Sequence, residues 1–294
     1  MGDTGISVDA QARRGLWVGL GWMALSMGSF IGMSIGSREL AVNLSIRQVL
    51  FFRALVGLFV IVLFMRSLWP EIRQMRQFRL QLIRNTVHFT AQYFWTIGVV
   101  LMPLASVFAL EFTMPVWVAF FAWAILHERP TRARLLAVLG GFMGVLVIVR
   151  PGTGIVDPAA GLVLIAAMGY GLSLVLVKLL TRQNLPGVIV AWMILIQLPL
   201  GLVAALTDWR PVHIADLPWM ILAGAGALSA HYCMAQALRR LDASVAIPVD
   251  FLRVPPAAIV GYLFYHEAID IWVFAGAAII LFSNLRALRA ERVR

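Results

Sequence analysis

Apolar runs of about 20 residues recur from one end of the chain to the other and leave little between them. Roughly 20 mostly apolar residues, wound as a helix, cross the hydrocarbon core of a bilayer. Broken at its charge, proline and glycine clusters, the sequence offers ten such segments: 16–36, 47–65, 86–101, 105–126, 135–149, 159–178, 187–206, 217–238, 244–264 and 271–285. The connections are too short for a separate soluble domain. Of the 294 residues, 61% are hydrophobic and 13% charged, against about half and a quarter in a soluble globular chain. That excess argues against a soluble enzyme, a disordered chain and a nucleic-acid partner. The expected fold class is an all-α integral membrane protein of ten transmembrane helices, with the lipid bilayer as its surroundings.

A formal net charge of +10 would point a soluble protein towards nucleic acid. Here it sorts by side. With the N-terminus inside, 18 of the 24 Lys and Arg residues fall in cytoplasmic segments. Arg38, Arg47, Arg150 and Arg210 fall outside, and Arg53 and Arg253 lie within spans. Cytoplasmic loops carry the Lys/Arg excess in multi-pass proteins, so both termini are expected in the cytoplasm. Segment 66–84 carries five Arg among apolar residues and is predicted to lie along the membrane surface. The first apolar run is too long for a typical signal-peptide core and reads as a retained span. Cys233 alone rules out an internal disulfide framework and a Cys-based metal cluster.

The two halves of the chain resemble each other. Ala105-Ser106-Val107, Glu111-Phe112, Pro115 and His127-Glu128 recur as Ala243-Ser244-Val245, Asp250-Phe251, Pro255 and His266-Glu267, at offsets of 138 to 140 and mostly 139. Tyr93 and Tyr232 share the offset of 139, and Arg53-x3-Gly57 matches Gln197-x3-Gly201 at 144. Five spans per half is an odd number, so the second half is inverted in the membrane. Residues 1–150 and 151–294 are the two predicted repeats. Inverted repeats are a recurring plan of secondary transporters, with the site near the midplane.

The ten spans, the duplication and the proline-bearing fourth span running into His127-Glu128-Arg129-Pro130 resemble the drug/metabolite transporter superfamily, and more narrowly its EamA-type ten-helix exporters. Bacterial aromatic amino acid exporters are the nearest comparison. The resemblance implies two five-helix bundles around a central cavity, alternating access and a bacterial inner membrane location. Arg253 departs from the usual pattern as an extra charge in the ninth span.

An ionisable group within a span costs roughly 2.5–3.5 kcal/mol on insertion scales, so each one needs a reason. Arg53, Glu111, Asp250 and Arg253 are the four here. Ion pairing alone, Asp250 with Arg253 and Glu111 with Arg53, explains them. So does function, with an acid holding an amine or a coupling proton and an arginine holding a carboxylate. Pro115 and Pro255 cannot donate to the carbonyls four residues back, which predicts a kink at each. In the third span Asn85, His88, Gln92 and Thr96 share about 80° of arc, flanked by Tyr93 and Trp95. In the eighth span Ser229, Tyr232 and Gln236 share about 60°, with His231 off that stripe and read as packing. Trp117, Tyr170 and Trp192 lie deep and either fill core or wall a cavity for flat or cationic cargo. Gly28, Gly32 and Gly36, and Gly140 with Gly144, mark close helix contacts.

There is no Walker sequence, no nucleophile elbow and no metal-ligand cluster, so neither cofactor nor metal is expected. His127-Glu128 and His266-Glu267 read as helix-end features. The resulting reading is a non-ATP secondary transporter exporting small organic metabolites, amino acids including aromatic ones first. Nucleosides and amphipathic drugs are the alternatives in its class. A membrane-embedded enzyme and a passive channel are the alternatives outside it. Monomer and homodimer are equally compatible.

Overall fold

A computed structural model describes residues 4–64, 66–74, 76–127, 132–150, 157–241 and 249–292, and among these the regular structure is all helix. The helices are α1 (Thr4–Asn43), α2 (Ile46–Phe64), α3 (Trp69–Arg73), α4 (Phe78–Leu101), α5 (Leu104–Glu111) and α6 (Met114–Leu126). There follow α7 (Arg132–Val149), α8 (Pro158–Leu180), α9 (Pro186–Leu206), α10 (Leu217–Leu238), α11 (Val254–Tyr265) and α12 (Ile271–Arg292). Prolines open α8, α9 and α10, where the missing N–H is no loss and φ is already helical. Asp157 caps α8 by accepting from the Ala159 N–H at 2.8 Å. The repeat-equivalent His127 and His266 end α6 and α11 with φ of 58° and 55°, a left-handed turn that stops each helix.

Five stretches among the described residues have the length and apolarity to cross a membrane: 15–43, 46–63, 104–126, 158–180 and 186–206. Shorter apolar stretches lie at 135–149 and 271–286. Helices α4 and α10 are 24 and 22 residues long, enough to span, but polar residues dilute them.

The packing follows the repeat. In order, α1, α2, α4, α5–α6 and α7 correspond to α8, α9, α10, the helix broken before α11, and α12. The most extensive contacts are α1 with α10, α4 with α8, α7 with α12, and α2 with α9. Exchanging the two halves maps the first two pairs onto each other and the last two onto themselves, as a pseudo-two-fold axis requires. Several of the glycines that the sequence marks sit at close approaches. A Cβ on Gly144 would sit 2.7 Å from the Gly276 carbonyl oxygen, and one on Gly276 2.6 Å from that of Gly144. Gly140 meets Ser283 and Gly36 meets the backbone of Ala223, whereas Gly28 faces open space. The largest core joins α4, α5, α8, α11 and α12 around Phe108, Val107 and Leu110.

Three sequence expectations are revised. The fourth span is two helices, broken at Phe112–Thr113, and the ninth is likewise interrupted at Leu252–Arg253. The third begins at Phe78, not at 86, so the surface segment ends near Gln77. Arg84, counted with the cytoplasmic loops, is therefore inside α4 and buried. Ala243-Ser244-Val245 and Glu128-Arg129-Pro130 lie outside the described residues.

Candidate functional site

The two broken helices pack on each other, α5 against α11. Their repeat-equivalent Phe112 and Phe251 stack there, with centroids 3.9 Å apart and planes 15° from parallel. Beside them Arg253, 2% exposed, reaches both repeat-equivalent acids: its Nη2 lies 3.6 Å from Glu111 and 3.6 Å from Asp250. Glu111 thus pairs with Arg253 rather than with Arg53. It also accepts from the Trp95 Nε1 at 2.8 Å. The guanidinium faces the rings of Phe30, Phe108 and Phe112 at 4.4, 4.6 and 4.9 Å, cation–π contacts that replace part of its lost hydration. Proline explains the break. Pro115 and Pro255 stand in the first turn of α6 and α11, and at the first break the Thr113 hydroxyl and N–H both donate to the Leu110 carbonyl, at 2.7 and 3.1 Å.

A polar cluster lies beside this contact. Asn85, His88, Gln92 and Thr96 are all buried along α4, as their spacing suggests, and Gln81 and Arg84 extend the same face. His88 Nδ1 and Gln197 Nε2 lie 3.0 Å apart, and the His88 ring lies 5.3 Å from that of Tyr170. Arg53 is within Coulombic range of Tyr170 and His88. His231, set aside in the sequence as packing, is within range of Arg53, Arg84 and Arg253 and lies edge-on to Phe30 at 5.5 Å.

The other expected residues scatter. Trp192 packs on Phe78 at 5.4 Å, Trp117 seats α6 against Gly171 of α8, and Tyr93 meets Phe94. Ser229 bonds to Ser29 at 2.9 Å on the α1 side. Tyr232 is 59% exposed, edge-on to Trp22 and bonded to Gln236 at 3.0 Å. These three do not join the central cluster.

One end of the bundle is closed by charge. Arg38 of α1 pairs with Glu267 just past α11 and donates to the carbonyls of Val99 and Met102 at the end of α4. Glu267 also accepts from the Leu104 N–H that opens α5 at 3.0 Å, and the Tyr265 hydroxyl donates to Glu39 at 2.9 Å. Four helices meet in that latch. A small pocket lined by Ser106, Ala258, Glu267 and Phe274 adjoins it.

A duplicated bundle with two broken helices and an intramembrane charge cluster is the architecture of a carrier, and comparison with known proteins assigns it. The EamA-like transporter family matches residues 17–150 and again 158–286. The chain belongs to that family. Like its relatives it is a multi-pass membrane transporter of small molecules and not an enzyme. A riboflavin transporter of Rhizobium johnstonii is 30% identical over 201 residues, 68% of this chain and 67% of that one. An S-adenosylmethionine uptake transporter of Rickettsia bellii is 21% identical over 276 residues, 94% of each chain. The pseudopaline exporter CntI of Pseudomonas aeruginosa is 23% identical over 277 residues, 91% of this chain and 95% of that one. One solved crystal structure shares the fold, with a TM-score of 0.60 at 16% identity over 96% of this chain and 99% of that one.

Proposed function

We propose that this EamA-like chain is a ten-span secondary transporter of a flat, aromatic small metabolite of the riboflavin kind. Residues 1–150 and 151–294 form its two inverted repeats, with both termini on the cytoplasmic side of a bacterial inner membrane. The observation that carries the reading is Arg253. One guanidinium holds Glu111 and Asp250, the equivalent acids of the two halves, where both helices are broken. A joint of this kind can break on one side and persist on the other, as alternating access needs. Substrate enters beside it, against Trp95, Tyr170, His88 and Gln92, and the aromatic walls suit a planar ring. The flavin class rests on the riboflavin transporters among the relatives.

Amino acid export, expected from the sequence, stays as a second reading. It is favoured by a site that offers carboxylates and guanidiniums together, as a zwitterion needs. Purified protein in liposomes tests both readings. Saturable uptake of riboflavin that excess tryptophan does not inhibit supports the first. Uptake of tryptophan with none of riboflavin establishes the second.

A further inference from the structure

Besides those of Arg253 itself (Nε and Nη1) and of Asn284 (Nδ2), the buried side-chain N–H groups without acceptors lie on α2, α4 and α9. They are Arg53 Nη1 on α2, Gln81 Nε2, Arg84 Nε and Asn85 Nδ2 on α4, and Trp192 Nε1 on α9. Gln81, Arg84, Asn85 and His88 fall on one face of α4, within about 100° of arc. Gln81 and Asn85 are fully buried and Arg84 is 8% exposed. Phe78 and Trp192 are in contact, so α9 brings the indole to the end of α4 that holds Gln81. Helices α2, α4 and α9 pack on one another in all three combinations, and Arg53 and Arg84 both lie within Coulombic range of His88 and of His231.

Among the described residues the buried side-chain acceptors without a partner are Gln81 Oε1, Glu71 Oε2, Asp250 Oδ1 and the Ser173 hydroxyl. Arg84 has the Asn85 side-chain oxygen at 2.6 Å, and that bond turns the Asn85 amide nitrogen away, unpaired. Each carboxylate of the centre has one oxygen against Arg253, Glu111 Oε1 and Asp250 Oδ2. Arg53 and Arg84 have no acid partner among the described residues. A buried donor left without an acceptor costs about 1–3 kcal/mol, and more when it is charged. Five of them on three mutually packed helices, two being guanidinium nitrogens, suit an acceptor-rich ligand. Guanidinium and amide N–H groups converging from three helices match the oxygens of a carboxylate or a phosphate ester.

We propose that Arg53 and Arg84, with the Gln81 and Asn85 amides and the Trp192 indole, form an oxyanion subsite beside Arg253, and that the transported solute carries a carboxylate or phosphate seated there. The ring then lies towards His88 and Tyr170, and the anionic end lies towards Gln81. The proposal rests on the transport reading and sharpens it from a flat solute to a flat organic anion. A neutral flavin engages the ring pocket and leaves the arginines unsatisfied.

The test uses the full chain purified in neutral detergent and two matched pairs of probes. Riboflavin is compared with riboflavin 5′-phosphate, and indole-3-acetamide with indole-3-acetate, by shift of the melting temperature across a concentration series. In at least one pair the anion is expected to bind tighter by on the order of tenfold, the equivalent of one charged hydrogen bond. Arg84→Gln is expected to erase that preference while retaining affinity for the neutral probe. Arg53→Gln serves in its place if Arg84→Gln does not fold. Preference in the indole pair with no flavin binding upholds the subsite and overturns the flavin class. No preference for the anion in either pair overturns the subsite. Anionic lipid is the other source of an oxyanion. If phosphatidylglycerol raises the wild-type melting temperature, spares Arg84→Gln and abolishes the solute preference, the site holds lipid and the proposal fails.

Discussion

Phe112 and Phe251 hold the same place in the two halves of the chain, and their rings stack on each other with centroids 3.9 Å apart. A residue that meets its own repeat counterpart marks the pseudo-two-fold axis, and both rings are buried. Phe251→Ala is expected to cost about 3–5 kcal/mol, as deletion of a buried ring does in other cores. Phe251→Leu is expected to cost less. Thermal melts of the purified variants check this, and an alanine variant that melts with the wild type removes the stack from the core.

Arg253 is the common partner of Glu111 and Asp250. Removing one member of a buried charge cluster leaves the others unpaired, at about 3–5 kcal/mol. Arg253→Gln is therefore expected to be strongly destabilising, and Glu111→Gln in the same chain is expected to recover part of the loss. A double-mutant cycle on the melting free energies reads the coupling, and strictly additive losses contradict the pairing.

Much of this was legible in the sequence, and the reasons differ by residue. Apolar run length set the helices, and the 139-residue offset paired Glu111 with Asp250 before any coordinates. Proline announced both breaks, because Pro115 and Pro255 must free a carbonyl. Arg84 was misplaced because charge sorting treats an arginine near a span end as loop, whereas α4 begins eight residues earlier and carries it inside. Ion pairing argued from the sequence couples Glu111 with Arg53 as one of two readings. The partner came instead from the other repeat, a long-range contact that no local spacing encodes. His231 was missed for the opposite reason. Its neighbours Ser229, Tyr232 and Gln236 share a stripe, but helix periodicity says only which residues share a face and not which face is inward.

The latch between Arg38 and Glu267 closes one end of the bundle. Glu267→Gln removes the charge that holds α1 to α11 and is expected to open the pocket beside it. In a Cys233→Ala background, a cysteine placed at Ser106 reports the opening through its reaction with a membrane-impermeant maleimide. Labelling is expected to quicken several-fold in Glu267→Gln. An unchanged rate means that the contact is static packing.

Asp216 ties the turn before α10 to the end of α1. Its carboxylate accepts from Asn43 Nδ2 and from the His213 N–H, each at 2.9 Å. Those bonds, the Asn43 one first, hold the carboxyl below the usual carboxylate range. The folded state thus favours the charged form. The gain is complete above the unfolded value of about 3.9 and is lost as pH falls through the lower folded value. Asp216→Asn is expected to lower the melting temperature by a few degrees at pH 7, with the difference shrinking below pH of about 4. A difference that does not change with pH contradicts the assignment.

The most direct test of the central claim, exchange through one site that faces each side in turn, is counterflow. Liposomes holding the protein and loaded with unlabelled riboflavin are diluted into a trace of labelled riboflavin, with no ATP and no ion gradient. A carrier accumulates label transiently above equilibrium, and Arg253→Gln is expected to lower the initial rate by tenfold or more, the equivalent of about 1.4 kcal/mol. Label that only equilibrates, at a rate indifferent to the internal load, is the behaviour of a passive pore and contradicts the carrier reading.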